Sequence, residues 1–139
     1  MENFKLDERL KNDCFQLGES DLSILLLMNN AAVPWFILVP KVEVFELCDL
    51  PPVQQQKLQE EINIVSQFVR KTCDIEKLNV AAIGNVVKQL HIHVIGRRSD
   101  DYCWPNVVWG TKAPATYSED EVSNCKSFVQ KEIGSHFPA

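Results

Sequence analysis

Two apolar runs joined by a short gap constrain the fold more than any other feature of the sequence. Residues 23–30 read SILLLMNN and residues 35–41 read WFILVPK, so that only a few residues lie between them. Both runs have the length and apolar content of strands. A gap this short suits antiparallel neighbours, because parallel strands need a much longer crossover. The two runs therefore predict an antiparallel strand pair.

A long amphipathic helix is predicted after this strand pair. The run Asp49-Leu-Pro-Pro opens it, since prolines are tolerated in a first helical turn. An apolar stripe then continues to about Cys73 at the spacing of one helix face. The members of this stripe are Leu58, Ile62, Val65 and Val69.

A second strand pair is predicted beyond this helix. Residues 78–84 read LNVAAIG and residues 86–97 read VVKQLHIHVIGR, and both resemble strands in composition. Gly84-Asn85 is the expected turn between them.

Two further helices complete the predicted order of elements. Residues 6–14 form a short helix candidate with Asp7 as its N-cap. A capping box at 118–121 starts the last helix, and Gly134 is a plausible stop. The order indicates a single α+β domain over residues 1–139, with a mainly antiparallel sheet, one long helix and a C-terminal helix.

Charge and composition limit the classes of partner. Fourteen Lys and Arg residues against nineteen Asp and Glu residues give a formal net charge of −5, which argues against broad neutralisation of duplex nucleic acid. A hydrophobic content of 45% supports a packed core and excludes intrinsic disorder. One locally positive pocket for a small phosphorylated ligand is still compatible with an acidic surface.

The cysteines and the start of the chain indicate a reducing cytoplasm. The five cysteines are odd in number and widely spaced, and no CxxC pair occurs, which is atypical of a disulfide scaffold or a Cys-rich zinc site. The first residues, MENFKLDERLKNDC, lack the apolar core of a signal peptide. The apolar stretch at 24–28 is too short to span a bilayer. We therefore expect a cytoplasmic protein without membrane contact.

The segment 86–97 carries the strongest chemical signal, a pair of histidines two residues apart. Alternate side chains of a strand share a face, so His91 and His93 are expected to project to one side with Gln89 in the same row. The opposite row is apolar and should meet the core; it consists of Leu90, Ile92 and Val94.

Two interpretations of this pair are open on the residues alone. The histidines can be satisfied side chains on an exposed sheet face. They can also chelate zinc or iron, because two imidazoles at this spacing suit such metals. A metal site needs a third ligand, for which a carboxylate, Cys103 and the remaining His136 are the candidates.

The wider sequence resembles the histidine triad (HIT) family. The stretch VKQLHIHVIGR at 87–97 is similar to the family signature, in which H-x-H-x-H precedes two apolar residues and a basic one. Gly84-Asn85 stands where the family has Gly-Gln. ILVPK at 37–41 resembles the family strand that ends in Pro-Lys, and FELCDLP at 45–51 matches the family's entry into its long helix. The resemblance covers about residues 25–97 and implies the HIT-like fold, with the bacterial dinucleoside polyphosphate hydrolase-like branch as the nearest likeness.

The resemblance implies a role for each matching residue. His91 falls on the nucleophile, which attacks the α-phosphorus to form a nucleotidyl-imidazole that water hydrolyses, while a backbone carbonyl holds its other ring nitrogen. His93 falls on the histidine that stabilises charge at the phosphate or bridging oxygen. Gly84 and Asn85 fall on a substrate-binding turn in which Asn85 contacts phosphate. Asn29 falls near the ribose-binding residue, with a turn position as its alternative role.

Two positions depart from the family pattern. Gln89 replaces the first triad histidine, and Trp35 stands where the family has an upstream histidine. A glutamine amide can donate to a phosphate oxygen or a carbonyl, and so keep its catalytic place, but it cannot carry a proton. Acidic leaving groups need that proton least. A dinucleoside polyphosphate therefore fits better than an amine-linked nucleotide.

An aromatic segment and several cations follow the histidines. Trp104 and Trp109 are expected to pack over a sheet end or a subunit contact, with a stacking face for a nucleobase as the alternative. Arg97, Arg98 and Lys112 are expected to be solvated, with phosphate steering as the alternative.

Taken as a whole, the resemblance implies a nucleotide hydrolase or nucleotidyltransferase that acts through His91. The covalent step requires no cofactor, although a divalent cation can accompany a polyphosphate substrate. The expected partners are a small nucleotide and, as in the Hint and Fhit branches, a second copy of the chain, with no nucleic acid. Two alternatives stay open: a catalytically weak nucleotide sensor, and an enzyme whose metal is held by the HxH pair.

Overall fold

A five-stranded antiparallel sheet organises residues 3–139, the part of the chain that the computed structural model describes. The strands are β1 (Cys14–Glu19), β2 (Ser23–Met28), β3 (Trp35–Pro40), β4 (Lys77–Ala81) and β5 (Ile92–Arg97). Their order across the sheet is β1-β2-β3-β5-β4, and each neighbouring pair is antiparallel. The strand pair predicted from the two apolar runs is confirmed as β2 and β3.

Three helices pack on this sheet: α1 (Glu8–Asp13), α2 (Pro52–Thr72) and α3 (Glu119–Ile133). Asp7 caps α1 by accepting from the backbone N–H of Arg9, as expected. The predicted capping box between Ser118 and Glu121 is present in full at the start of α3. One turn of 3₁₀ helix at Leu47–Asp49 leads into α2, whose first residue is a proline. The predicted α+β fold is thereby confirmed.

The sheet has an apolar cluster on each face. One cluster joins β2, β3 and β5 to α2 and α3, and includes Leu27, Leu38, Val94 and Val129. The other lies on the opposite face and includes Leu10 of α1, Ile37, Ile95 and Val108. Because both faces are covered, any side chain that points out of β5 enters a buried environment.

Strand β1 is a strand that the sequence pattern did not predict. The helix over 6–14 ends at Asp13, and the extended backbone of Cys14 begins the strand at once. A register irregularity between Gln16 and Gly18 breaks the alternation of apolar residues that marks a strand in a sequence. Because of this bulge, the segment lacks the regular alternation of apolar residues from which a strand is predicted.

The second strand pair is shorter than predicted, because its connection is long. Strand β4 ends at Ala81 and β5 begins only at Ile92, so residues 82–91 form a loop rather than a tight turn. Gly84 adopts a φ of 68° within it, a backbone conformation that glycine accepts readily. His91 and Gln89 consequently lie before the strand and not in it.

Among residues 3–139, no helix combines the length and the apolar character that a bilayer crossing requires.

Candidate active site

The two histidines meet at the start of β5, in buried positions. The ring centroids of His91 and His93 are 4.9 Å apart with the planes inclined by 68°. Their exposed fractions are only 6% and 4%. The interpretation as two histidines on an exposed sheet face is therefore wrong, because α1 and the segment after β5 cover this face.

His91 has one ring nitrogen fixed by the backbone. Its Nδ1 lies 2.6 Å from the carbonyl oxygen of Gln89. A carbonyl can only accept, so the bond requires a hydrogen on Nδ1. The neutral ring then keeps its lone pair on Nε2, which is the form a nucleophile needs. The backbone carbonyl expected at this nitrogen is present.

His93 is held by an indole. The Nε1 of Trp35 donates to the Nδ1 of His93 at 3.0 Å, and both side chains are buried. Burial and, to a smaller extent, the neighbouring charge of His91 together lower the pKa of His93 from 6.5 to about 3. His93 is therefore neutral at physiological pH.

Gln89 lies before β5 rather than in it, and its amide bonds to the N-terminal segment. Its Oε1 accepts from the backbone N–H of Asp7 at 2.8 Å, and its Nε2 donates to the carbonyl of Lys5 at 2.9 Å. Both ends of the amide thus fasten the segment before α1. The prediction that Gln89 lies in a strand is wrong, because β5 begins at Ile92. The predicted apolar row of Leu90, Ile92 and Val94 does meet the core, and a catalytic role of Gln89 stays a prediction.

A cavity of about 640 Å³ opens beside His91. Residues from the 82–91 loop and from the approach to α2 line it: Phe45, Glu46, Leu47, Cys48, Ala82, Ile83, Gly84, Lys88, Gln89, Leu90 and His91. Gly84 lies at the cavity, whereas Asn85 is exposed and outside its lining, and substrate binding by either residue stays a prediction. Lys88 brings a positive charge that the sequence analysis did not single out. Its position directly before Gln89 was the signal that was missed.

Asn29 lies away from this cavity. Its Oδ1 accepts from the backbone N–H of Tyr117 at 2.9 Å. The neighbouring Asn30 accepts from the N–H of Ala32 at 3.0 Å and closes a turn between β2 and β3. A role of Asn29 at the ribose stays a prediction, and its side-chain oxygen is already engaged.

The comparisons with known proteins cover the residues described above. The HIT domain family matches residues 9–100, which contain both histidines and the whole sheet. The chain belongs to the histidine triad family. The matched range of this HIT protein includes the stretch Gln-Leu-His-Ile-His at 89–93, and its alignment with the triad stays a prediction.

Solved HIT proteins match the chain over nearly its full length. A histidine triad protein from Marinobacter aquaeolei is 42% identical, with a TM-score of 0.91, and the match covers 96% of this chain and 98% of that one. A HIT protein from Sinorhizobium meliloti is 38% identical, with a TM-score of 0.91 and coverage of 96% and 99%. The fold of these HIT proteins thus agrees with that of the present chain.

A curated relative is more distant. Adenylylsulfatase HINT3 from Arabidopsis thaliana is 26% identical over 102 residues, which are 69% of this chain and 52% of the relative. The chain thus spans about half the length of that protein.

Trp109 completes the surroundings of the third triad position in this HIT protein. Its ring lies edge-on to His93 at 5.3 Å and to Trp35 at 6.2 Å. Its indole nitrogen is buried without a hydrogen-bond partner among the described residues. Packing over the sheet is therefore its observed role.

Arg97, the basic residue of the HIT signature, is buried rather than solvated. Its side chain is bonded to Asp101 at 2.7 Å, to Asn79 at 2.9 Å and to the carbonyl of Asn106 at 2.8 Å. Trp104 covers the guanidinium at 5.6 Å. The expectation of a solvated Arg97 is wrong, because four neighbours enclose it.

The other two cations differ from Arg97. Arg98 is half-buried and pairs with Asp100 and Asp74, whereas Lys112 is exposed. None of the three lines the cavity beside His91.

Within residues 3–139, no three His, Cys, Asp or Glu side chains are grouped so as to hold a metal ion. His136 lines a separate groove between α2 and α3, so it cannot supply a third ligand to the HxH pair. Cys103 contacts Arg97.

The stability of the protein should depend on the protonation of His93. Below pH 6.5 the unfolded chain binds a proton at this residue, whereas the folded chain does so only near pH 3. Stability is thus complete above pH 6.5 and is lost as the pH falls toward 3. Between pH 7 and pH 4 this loss is on the order of 2–3 kcal/mol, since one pKa unit is about 1.4 kcal/mol. His93→Asn keeps an acceptor for Trp35 but cannot titrate.

Urea unfolding at several pH values measures this effect. The free energy of unfolding of the wild type should fall more steeply with decreasing pH than that of His93→Asn. Parallel curves would contradict the assignment of a buried neutral His93.

Proposed function

We propose that this HIT protein is a nucleotide hydrolase or nucleotidyltransferase that cleaves at the α-phosphate of a nucleotide conjugate. The observation that supports it most is the bond between His91 Nδ1 and the carbonyl of Gln89, which places the lone pair of the neutral ring on Nε2. Nε2 forms a bond to the α-phosphorus while the bond from phosphorus to the leaving oxygen breaks. Water then displaces the imidazole, releases the mononucleotide and gives its proton to the medium.

The cavity beside His91 supports binding of the phosphates. Gly84 allows close approach of the backbone, and Lys88 supplies a positive charge on an otherwise acidic chain. The remaining N–H of His93 is the expected donor to a phosphate oxygen. Asn85 belongs to the same loop and is proposed to meet the phosphate chain from outside the cavity. No resident cofactor is required, and a divalent cation is proposed to accompany the substrate.

The triad favours an acidic leaving group. Gln89 cannot carry a proton, and His93 is neutral with a pKa of about 3, so neither is poised to donate one to a departing oxygen or nitrogen. A dinucleoside polyphosphate releases a nucleotide phosphate that leaves without protonation. The name of the distant relative, an adenylylsulfatase, indicates a substrate whose leaving group is equally acidic.

A comparison of two substrates tests this preference. We expect kcat/KM for a dinucleoside polyphosphate to exceed that for a nucleoside phosphoramidate by about 100-fold, the usual minimum contribution of a general acid. Release of mononucleotide from each is measured with the same nucleoside and with divalent cation present. Equal kcat/KM values would show that a proton donor acts in this site and would contradict the assignment.

A nucleotide sensor is the second candidate, favoured by the engagement of both ends of the Gln89 amide. Tight binding of a dinucleoside polyphosphate without release of mononucleotide, followed by calorimetry, would identify it.

A second copy of the chain and a cytoplasmic location belong to the same proposal. Trp104 and Val107 in the segment after β5 are exposed apolar side chains, which supports burial against another copy. A small nucleotide is the proposed ligand, with no nucleic acid among the partners.

A further inference from the structure

The indole of Trp35 lies diagonally across the sheet from His93. Trp35 begins β3 and pairs with Ile95, whereas His93 pairs with Ile37, so the two side chains share a face. Trp35 is 6% exposed and His93 is 4% exposed, and their bond measures 3.0 Å from Nε1 to Nδ1. Both side chains are therefore largely shielded from bulk solvent.

The chemistry of the two rings fixes the position of a proton. An indole nitrogen can donate a hydrogen bond but cannot accept one. Nδ1 of His93 must therefore be the acceptor, and the hydrogen of the neutral imidazole lies on Nε2. A second proton on Nδ1 would place two N–H groups against each other in a buried site.

The neighbours of His93 leave this arrangement undisturbed. Ile37 of β3 and Ala81 of β4 pair with it, and Trp109 lies against its ring. His91 is the titratable side chain in contact, with its own Nδ1 bonded to the backbone. Arg97 shares the face further along β5, and its charge is paired with Asp101.

We propose that Trp35 is a positioning residue that fixes His93 as a neutral ring with its proton on Nε2. The catalytic consequence rests on the proposed function: the substrate phosphate meets an N–H donor whose state does not change across the working pH range. A histidine at position 35 would itself titrate and could give or accept a proton. An indole cannot give up or accept a proton in this way, so the N–H donor of His93 stays in place.

Nitrogen NMR on the free protein tests the proton position without any substrate. In the wild type, His93 should show Nδ1 as the bare nitrogen and Nε2 as the protonated one from pH 5 to pH 8. A scalar coupling across the hydrogen bond should connect Trp35 Nε1 to His93 Nδ1. In Trp35→Phe the coupling is lost and both neutral tautomers are populated, because phenylalanine offers Nδ1 of His93 no donor.

Trp109→Phe is the matched control. It removes an indole from the same cluster, but one whose nitrogen has no partner among the described residues. It should leave the tautomer and the titration of His93 unchanged. Activity provides a second readout: Trp35→Phe should lower kcat about tenfold with little change in KM, because the donor to the phosphate is then no longer held in one tautomer.

The two readouts separate the possible failures. A protonated Nδ1 of His93 in the wild type would overturn the role of Trp35, and this result needs no variant. Identical spectra of His93 in Trp35→Phe and Trp109→Phe would overturn it as well. The first test therefore holds even if Trp35→Phe folds poorly. If the spectra behave as expected and no nucleotide is cleaved, the proposed function fails while the positioning of His93 by Trp35 stands.

Discussion

His91→Ala should lower kcat/KM by at least about 10⁴-fold, because removal of a nucleophile abolishes the first of two chemical steps. The bond between Nδ1 and the Gln89 carbonyl keeps the lone pair on Nε2, and alanine offers no atom that can form a covalent intermediate. His93 cannot take over, since its Nδ1 is bonded to Trp35 and its neutral form carries the proton on Nε2. The measurement is the release of mononucleotide from a dinucleoside polyphosphate.

The third histidine supplies the matched control. His136 is exposed and lines a groove between α2 and α3, so His136→Ala should retain wild-type activity. A labelled nucleotide trapped by rapid acid-free denaturation should remain on the wild type and on His136→Ala, and should be absent from His91→Ala. Label on the His91→Ala protein would show that another residue is the nucleophile. Thermal unfolding of all three proteins checks that the buried substitution has left the fold intact.

The predicted parts of the site are those that depend on local pattern. The two apolar runs predicted β2 and β3, because length and apolar content are properties of each segment alone. The histidine pair was also visible, since His91 and His93 are close in the sequence. The backbone contact of His91 was expected from the family resemblance, and it involves a residue only two positions away.

The parts that were missed depend on distant partners. Gln89 was placed in a strand by continuing its period of two, but the ladder with β3 ends at the pair formed by Leu38 and Ile92. Its amide bonds to Lys5 and Asp7, more than eighty residues earlier, which no local pattern indicates. The bond from Trp35 to His93 likewise spans 58 positions.

The burial of Arg97 could not be predicted from local sequence either. Arginine is usually exposed, so solvation was the natural expectation. Asp101 alone is close in the sequence, and it lies in a segment without periodic structure. Asn79 comes from β4, and the exact backbone path that brings the Asn106 carbonyl to the guanidinium follows from the tertiary fold.

Arg97→Ala should lower the free energy of unfolding by about 3–5 kcal/mol, the usual cost of removing one partner of a buried ion pair. The side chains of Arg97 and Asp101 are only 2% and 4% exposed. The hydrogen bonds from Arg97 hold the pKa of Asp101 at about 2, so removal of the guanidinium leaves a buried carboxylate without its counter-charge. The side-chain oxygen of Asn79 and the Asn106 carbonyl lose a donor at the same time.

Arg98, the next residue, provides the control for the predicted effect of Arg97→Ala. Arg98 pairs with Asp74 and Asp100, but its side chain is 39% exposed, so Arg98→Ala should destabilise the protein far less than Arg97→Ala. The double variant Arg97→Met with Asp101→Leu should be more stable than Arg97→Ala, because it leaves no unpaired charge and restores apolar volume. Urea unfolding of these variants at neutral pH measures the differences. If Arg97→Ala and Arg98→Ala were equally stable, the guanidinium of Arg97 would contribute no more than a surface charge. In that case the hydrogen bonds of Arg97 would not be the interactions that hold the segment after β5 against the sheet face that carries His93.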